Sequence, residues 1–496
     1  MRILYIDIDA LRPDHLSCYG YHRQTSPHID RLAVEGVRFT NFYATDTPCL
    51  PSRTALFTGM FGIHSGVVNH GGEFADPAIQ GENRRFRSDL AQNALGSVLR
   101  RAGYHTASIS PFPNRHSAYQ VVYGFSETYD TGKGGLENGD EMYPPAQRWL
   151  EANGQRDNWF LHVNFWDPHT PYDHPEAYGN PFTDEPIDPW ITQEVIDRQR
   201  ASFGPHSATE VSGESDQLPP RWRMGVGSIH TVADAKTHID GYDTGIHYAD
   251  HFVGKLIDDL KRLGIYDETA IIVSADHGEN QGELNVWGDH QTADYICNRV
   301  PLIVRWPGIT DAHAGEERHA LHYNLDLSAT LADLLDGEQP VSWDGVSFSP
   351  SFANADTGRD YLVLSQGAWS CQRSVRWDRW LLIRTYHTGM KEFPAYMLFD
   401  VEKDPHETTN LAASRPDLVG HGLLLLDRWM GEQMGRSQRG DPFWGVMAEG
   451  GPLHANQTHP QWMAYVERLR RTGRSHHAAR LEAFGGKPLT SGLGGE

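Results

Sequence analysis

Residues 3–9, Ile3-Leu4-Tyr5-Ile6-Asp7-Ile8-Asp9, decide the fold. The run is apolar and β-branched with no polar alternation until its end, which suits a strand buried on both faces of a sheet. Asp7 and Asp9, two residues apart, fall near the carboxyl end of that strand on the same side. In open α/β sheets this end is where ligands collect.

Working outward, Ser26 and Pro27 supply an N-cap and a first helical residue for "HIDRLAVEGV". Helical spacing recurs in "LAQNALGSVLRRAG", in the long 236–263 segment and in "LDLSATLADLLDG". Between them lie "NWFLHVNFW", "TAIIVSA" and "PLIVRW", which read as buried strands. That alternation predicts an α/β fold whose large domain, residues 1–355, holds a doubly wound, mostly parallel sheet flanked by helices. From about residue 360 the pattern changes to short β-rich pieces ("DYLVLSQ", "SVRW", "RWLLIRTY", "YMLFDV") followed by an amphipathic helix near 415–433. A smaller α+β C-terminal domain with a tail is therefore expected over 360–496. The tail beyond about 434 has no clear periodicity and is expected to be an arm toward a second subunit, making the chain a homo-oligomer. Segment 183–230 is too long for a plain connection and should form part of a pocket or a mobile loop.

The chain has 496 residues, long enough for two domains, with 39% hydrophobic and 22% charged residues, the balance of a globular enzyme. Acidic residues outnumber basic ones 65 to 43, a formal charge of −22, so the overall field repels nucleic acid, anionic lipid and polyanions. Any bound anion must be held by local groups. "MRILYIDIDA" meets acidic residues too early for a signal peptide, and no stretch is apolar enough to span a membrane. Four cysteines (Cys18, Cys49, Cys297, Cys371) in so long a chain make no disulfide framework, and a cytoplasmic protein is expected. The glycosylation match at Asn456-Gln-Thr is then incidental.

Two motifs carry chemistry. In "TPCLPSRTALFTG", residues 47–59, the thiol of Cys49 stands just before a helix N-terminus, where the dipole favours an anion, and Arg53 is one turn away. The bland alternative is a buried cysteine acting as a small hydrophobe. In "IIVSADHGENQGE" a buried strand runs into Asp276-His277-Gly278, a second pair of donors at a strand end.

Taken together, Cys-x-Pro-Ser-Arg at 49–53, the Asp-rich end of "YIDIDALRPDHLSCYGY" and "SADHG" resemble the type I, formylglycine-dependent sulfatases of the alkaline phosphatase superfamily. The resemblance implies oxidation of Cys49 to Cα-formylglycine by a dedicated formylglycine-generating enzyme. It implies an aldehyde hydrate in which one oxygen attacks sulfur while deprotonation of the other expels sulfate. It also implies a divalent metal on Asp9, Asp276, His277 and residue 49. Hard oxygen ligands favour Ca²⁺, while the imidazole leaves Mn²⁺ open. Arg53 should orient the hydrate and the anion. "NFWDPHTPY" resembles the segment whose histidine contacts the sulfate ester, which carries over to His169 as binder or acid. "MLFDVEKDPHETTNLA" at 397–412 matches the late part of the same family.

The sequence also departs from that family. Ala10 stands where a second Asp is common; Asp7 either compensates or caps backbone amides. Pro111 replaces one sulfate-binding lysine, leaving only the displaced Arg115 and His116, and His290 replaces another. His64 and His70 follow the nucleophile motif closely enough to line a pocket. Trp166, Trp190 and Trp222 are either sugar-stacking or core residues. The expected substrate is a small-molecule or saccharide sulfate ester. The same nucleophile in a phosphonate monoester or phosphodiester hydrolase is the alternative, and a non-catalytic relative of the fold is a third reading that the intact Cys49, Arg53, Asp9, Asp276 and His277 oppose.

Overall fold

The computed structural model describes residues 1–79, 88–135, 137–213, 226–437 and 439–488. In chain order its strands are β1 (Arg2–Ile8), β2 (Val37–Tyr43), β3 (Asp46–Thr47), β4 (His105–Ile109), β5 (Glu127–Tyr129), β6 (Trp159–Phe165), β7 (Thr269–Ser274), β8 (Asn280–Gln281), β9 (Trp287–Asp289), β10 (Arg299–Arg305), β11 (Glu317–Arg318), β12 (His322–Tyr323), β13 (Tyr361–Gln366), β14 (Cys371–Trp377), β15 (Trp380–His387) and β16 (Tyr396–Asp400). The main sheet runs β11-β2-β10-β7-β1-β6-β4-β5, with β12 also on β2.

β1 is wholly buried and pairs in parallel with β6 and β7, so Asp7 sits level with Asn164 and Ser274 at the carboxyl edge. β10 runs antiparallel to both β7 and β2 in the otherwise parallel sheet. Helices Pro27–Glu35, Gly139–Asn153 and Val232–Arg262 form one packed group beside the sheet. Cys49–Thr58, Leu95–Arg101 and Leu325–Leu334 form another. The long helix starts at Val232, ahead of the expected 236, because Thr231 and Asp234 close a capping box there. The single helix expected in "LAQNALGSVLRRAG" is two, Asp89–Asn93 and Leu95–Arg101. Ala94 between them is extended, and the Ser97 hydroxyl satisfies the Ala91 carbonyl at 2.6 Å.

The smaller sheet runs β16-β15-β14-β13-β3, covered by helix Pro416–Arg436 through Val419, Leu425, Leu426 and Trp429. Its fifth strand comes from the amino-terminal part: Asp46 and Thr47 pair with Ser365 and Gln366. That two-residue ladder fixes the backbone immediately before Cys49, so the second sheet helps to place the functional site. The tail does not extend outward as an arm. It folds back into helices Pro442–Ala448, Pro460–Arg471 and Ser475–Phe484, because Tyr465, Val466, Leu469 and Leu481 share a small core with Phe203 and Met390. Within 183–230 the structure shows a helix, Gln193–Arg200, packed on the body through Ile196; Trp222 lies outside the described residues. No helix among the described residues is long and apolar enough to cross a membrane.

Candidate active site

Helix Cys49–Thr58 is buried along its whole length, with Cys49 as its first residue. The Ser52 hydroxyl donates to the Asp276 carbonyl at 2.6 Å, and the Asn324 amide donates to Ser52 Oγ at 3.0 Å. These bonds dock the helix on the segment that follows β7. As a result Cys49 Sγ lies 3.0 Å from His277 Nε2, and one donor atom each from Asp9, Cys49, Asp276 and His277 all lie within 4.8 Å of one another. His277 Nδ1 donates to the Gly278 carbonyl at 2.7 Å, which leaves the Nε2 lone pair facing the cluster. Burial, with His290 nearby, keeps this ring neutral.

Arg53 is the cluster's counter-charge. Its Nε donates to Asp7 Oδ2 at 2.8 Å, and its Nη1 to Asp9 Oδ2 at 2.8 Å and Asp276 Oδ2 at 2.5 Å. Asp7 therefore serves to hold Arg53, with His162 Nε2 3.5 Å behind it, and lies outside the donor group. Burial raises Asp9 and Asp276 even against the pull of Arg53. Among the described residues Asp9 Oδ1, Asp7 Oδ1 and Arg53 Nη2 are buried without a hydrogen-bond partner. One guanidinium for three buried carboxylates, with an orphaned oxygen on Asp9, is a donor set that fits a divalent cation. Two carboxylates and an imidazole suit Ca²⁺ or Mn²⁺. Ala10, where a second Asp was looked for, has φ +57° and gives its N–H to Asp276 Oδ1 at 3.1 Å.

Burial, then Asp9 and Asp276, push the Cys49 thiol well above its ordinary range. An unmodified Cys49 is thus a protonated and poor nucleophile.

Beside Cys49 the structure gathers imidazoles. His290 ring packs on His277 with centroids 4.1 Å apart and meets His169 at 5.5 Å. Burial alone would lower His290, but Asp289 and Glu279 push it up to about 9. His169 stacks on Trp166 at 4.4 Å and donates Nδ1–H to its neighbour's carbonyl at 2.7 Å, leaving Nε2 free toward Cys49. Burial and the charges of Arg115 and His290 keep it neutral, which favours a binding role over that of a resting acid. Arg115 lies over the Trp166 ring at 3.7 Å and acts electrostatically on both Asp9 and Cys49. His70 Nε2 accepts the Leu50 N–H at 3.4 Å, and His116 lies 5.1 Å from it.

His64 does not line this pocket: its two nitrogens are taken by Asp344, at 2.7 Å, and the Gln433 carbonyl, at 3.0 Å. Trp190 stacks on His406. Sequence reasoning missed Glu279, 3.4 Å from His290 Nδ1, although it stands two residues beyond His277 in the quoted motif. It also missed Asp289, and Gln366 at the end of β13, whose amide donates to the His290 carbonyl at 2.7 Å. No local signal marks Gln366.

Residue 49, set among carboxylates and imidazoles beside a place for a hard cation, gives this fold the equipment of a metal-assisted hydrolase of anionic esters. The chain belongs to the sulfatase family: the model named Sulfatase matches residues 2–337, and one named N-sulphoglucosamine sulphohydrolase, C-terminal, matches 285–417. It is a hydrolase acting on sulfuric ester bonds. A choline-sulfatase of Rhizobium meliloti (strain 1021) is 26% identical over 82% of this chain and 81% of its own length. A solved structure in complex with its substrate D-glucosamine-2-N,6-O-disulfate matches with a TM-score of 0.69 at 19% identity, covering 89% of this chain and 99% of that one. The phosphonate monoester hydrolase of Agrobacterium radiobacter matches with a TM-score of 0.64 at 22% identity, over 86% and 95%.

Proposed function

We propose that the chain cleaves a sulfate ester of a small molecule or saccharide through a formylglycine hydrate made from Cys49, with Ca²⁺ on Asp9, Asp276, His277 and residue 49. The observation that carries this reading is the 3.0 Å contact of Cys49 Sγ with His277 Nε2 inside the four-residue donor group. Burial, and after it the charges of Asp9 and Asp276, push this thiol well above its ordinary range, which disfavours the thiolate. A formylglycine hydrate supplies the missing chemistry: one hydroxyl to attack sulfur and a second to release sulfate and restore the aldehyde. Ca²⁺ would supply a positive charge against the sulfate oxygens.

The chain's own residues do the rest. Arg53 holds residue 49 and the anion in register through its unpartnered Nη2. His290, buried against His277 and His169, is the group assigned to protonate the leaving alcohol oxygen. His169, Arg115, His116 and His70 border the same space, and Trp166 packs behind Arg115.

Several further features belong to the same proposal. Maturation needs a formylglycine-generating enzyme. The chain divides into a catalytic domain over 1–355 and a smaller domain with its tail over 360–496. Four unpaired cysteines support a cytoplasmic location. Mass spectrometry of the peptide containing residue 49, with initial rates on an aryl sulfate, a phosphodiester and a phosphonate monoester, tests the reading. Formylglycine with sulfate turnover dominant supports it. Dominant phosphonate or phosphodiester turnover moves the chain to the alternative, and an unmodified, inactive Cys49 from a competent host sinks both.

A further inference from the structure

The tail lies beyond both matched segments, 2–337 and 285–417, yet it reaches the pocket. It is anchored at several points. Arg373 grips Asp441 at 2.6 and 2.8 Å. The Tyr465 hydroxyl takes the Gly204 N–H at 2.7 Å and donates to Glu210, a buried carboxylate also held by Arg468 and Arg474. Between these anchors, in the turn Leu453–Ala455, Leu453 packs against Gly71. The approach is close enough that a Cβ on Gly71 would lie 2.3 Å from Leu453 Cδ2. His454 stacks on Trp369 at 4.1 Å, with its centroid 6.3 Å from that of His70.

His116, His70 and His454 thus form a row beside Leu50, the residue after the nucleophile position. Burial lowers all three, to about 3 at His116 and about 4 at His454, so the row is uncharged. Among the described residues His116 Nε2 and His454 Nε2 are buried with no hydrogen-bond partner. A buried unpaired nitrogen is costly and calls for a partner. Two of them in one row beside residue 49 point to a ligand.

We propose that His454, with His116, binds hydroxyl groups of the alcohol half of the substrate, which makes that alcohol a saccharide. The free nitrogen of a neutral imidazole is a donor in one tautomer and an acceptor in the other, and a hydroxyl can meet either. A quaternary ammonium would instead need open aromatic faces, and one face of Trp369 is covered by His454. The inference rests on the sulfatase reading and names its substrate class.

The test compares wild type, His454→Ala and His454→Gln, each with its formylglycine content measured. The substrates are 4-nitrophenyl sulfate, which has no hydroxyl, and a panel of glucosamine and galactosamine monosulfates. For the preferred sugar sulfate, His454→Ala should lose about 10- to 100-fold in kcat/KM, mainly through KM, with partial recovery in His454→Gln. On the aryl sulfate it should stay within about threefold, since no hydrogen bond is lost there. Equal losses on both substrates, no loss on the sugar, or a wild type that prefers the aryl sulfate to every sugar would overturn the proposal while leaving the sulfatase reading intact. A formylglycine-bearing wild type inactive on every sulfate removes both.

Discussion

Glu279 Oε2 lies 3.4 Å from His290 Nδ1, and both side chains are buried. Asp289, whose Oδ1 is 3.7 Å from His290 Nε2, adds a second carboxylate. This flank turns an imidazole that burial would hold neutral into a cation. Replacing it with a neutral group should cost about 10²- to 10³-fold in kcat/KM, the usual range for one charge or donor aimed at the transition state. His290→Ala is expected to show that loss on an aryl sulfate, His290→Lys to stay within about tenfold of wild type, and Glu279→Gln to fall between them. Near-normal rates in His290→Ala would mean that this charge is not used.

That pair also marks the limit of what the sequence told. The metal-side residues were legible because each stands at or just beyond the end of an apolar strand or at the start of a helix, and such runs place their last residues by periodicity alone. Donor atoms of Asp9, Cys49, Asp276 and His277 come together, and Arg53 bonds both aspartates. Asp7 was seen, but only the fold could tell that Arg53 takes it. Gln366 and His454 come from segments 317 and 405 positions after Cys49, brought in by the β3–β13 ladder and by a tail whose packing depends on Glu210 and Phe203. Long-range contacts of that kind leave no periodic trace.

Arg53 is the one side chain bonded to Asp7, Asp9 and Asp276 together. Removing one partner of a buried ionic network typically costs about 3–5 kcal/mol, because the other charges stay buried and unpaired. Arg53→Ala should show that loss in urea unfolding with a chelator present, and the gap to wild type should narrow in saturating Ca²⁺, which binds only the folded site. Turnover should remain lost in either buffer. Equal stability of variant and wild type in chelator would contradict the role assigned to Arg53.

A second buried carboxylate gives a pH signature away from the site. Asp250 accepts the backbone N–H groups of His28, at 3.0 Å, and Ile29, at 2.8 Å, at the start of helix Pro27–Glu35. Burial dominates and pushes it up to about 7. Its folded pKa is above the unfolded one, so the folded chain binds the proton more tightly. The associated stability is present below about pH 4 and is lost as pH rises toward 7, by an amount on the order of a few kcal/mol. Asp250→Asn keeps an acceptor for both N–H groups and removes the titration. Its stability relative to wild type, measured by urea unfolding, should therefore improve from pH 5 to about pH 7 and level off above it. A pH-independent difference would show that Asp250 titrates in its ordinary range.

The departure at Ala10 supplies the last prediction. This residue is fully buried with φ +57°, a conformation that Asp tolerates better than Ala, and its N–H already bonds Asp276 Oδ1. Ala10→Asp would bring a fourth carboxylate next to Asp7, Asp9 and Asp276, with Arg53 still their shared counter-charge. Without a cation, like charges in a buried space disfavour the folded state, so the variant should melt below wild type in chelator. With Ca²⁺ the extra oxygen becomes a ligand, and the rise in Tm on adding the ion should exceed that of wild type. A smaller rise would mean that residue 10 points away from the cation, and that Asp9, Asp276, His277 and residue 49 complete the protein's share of the ligands without it.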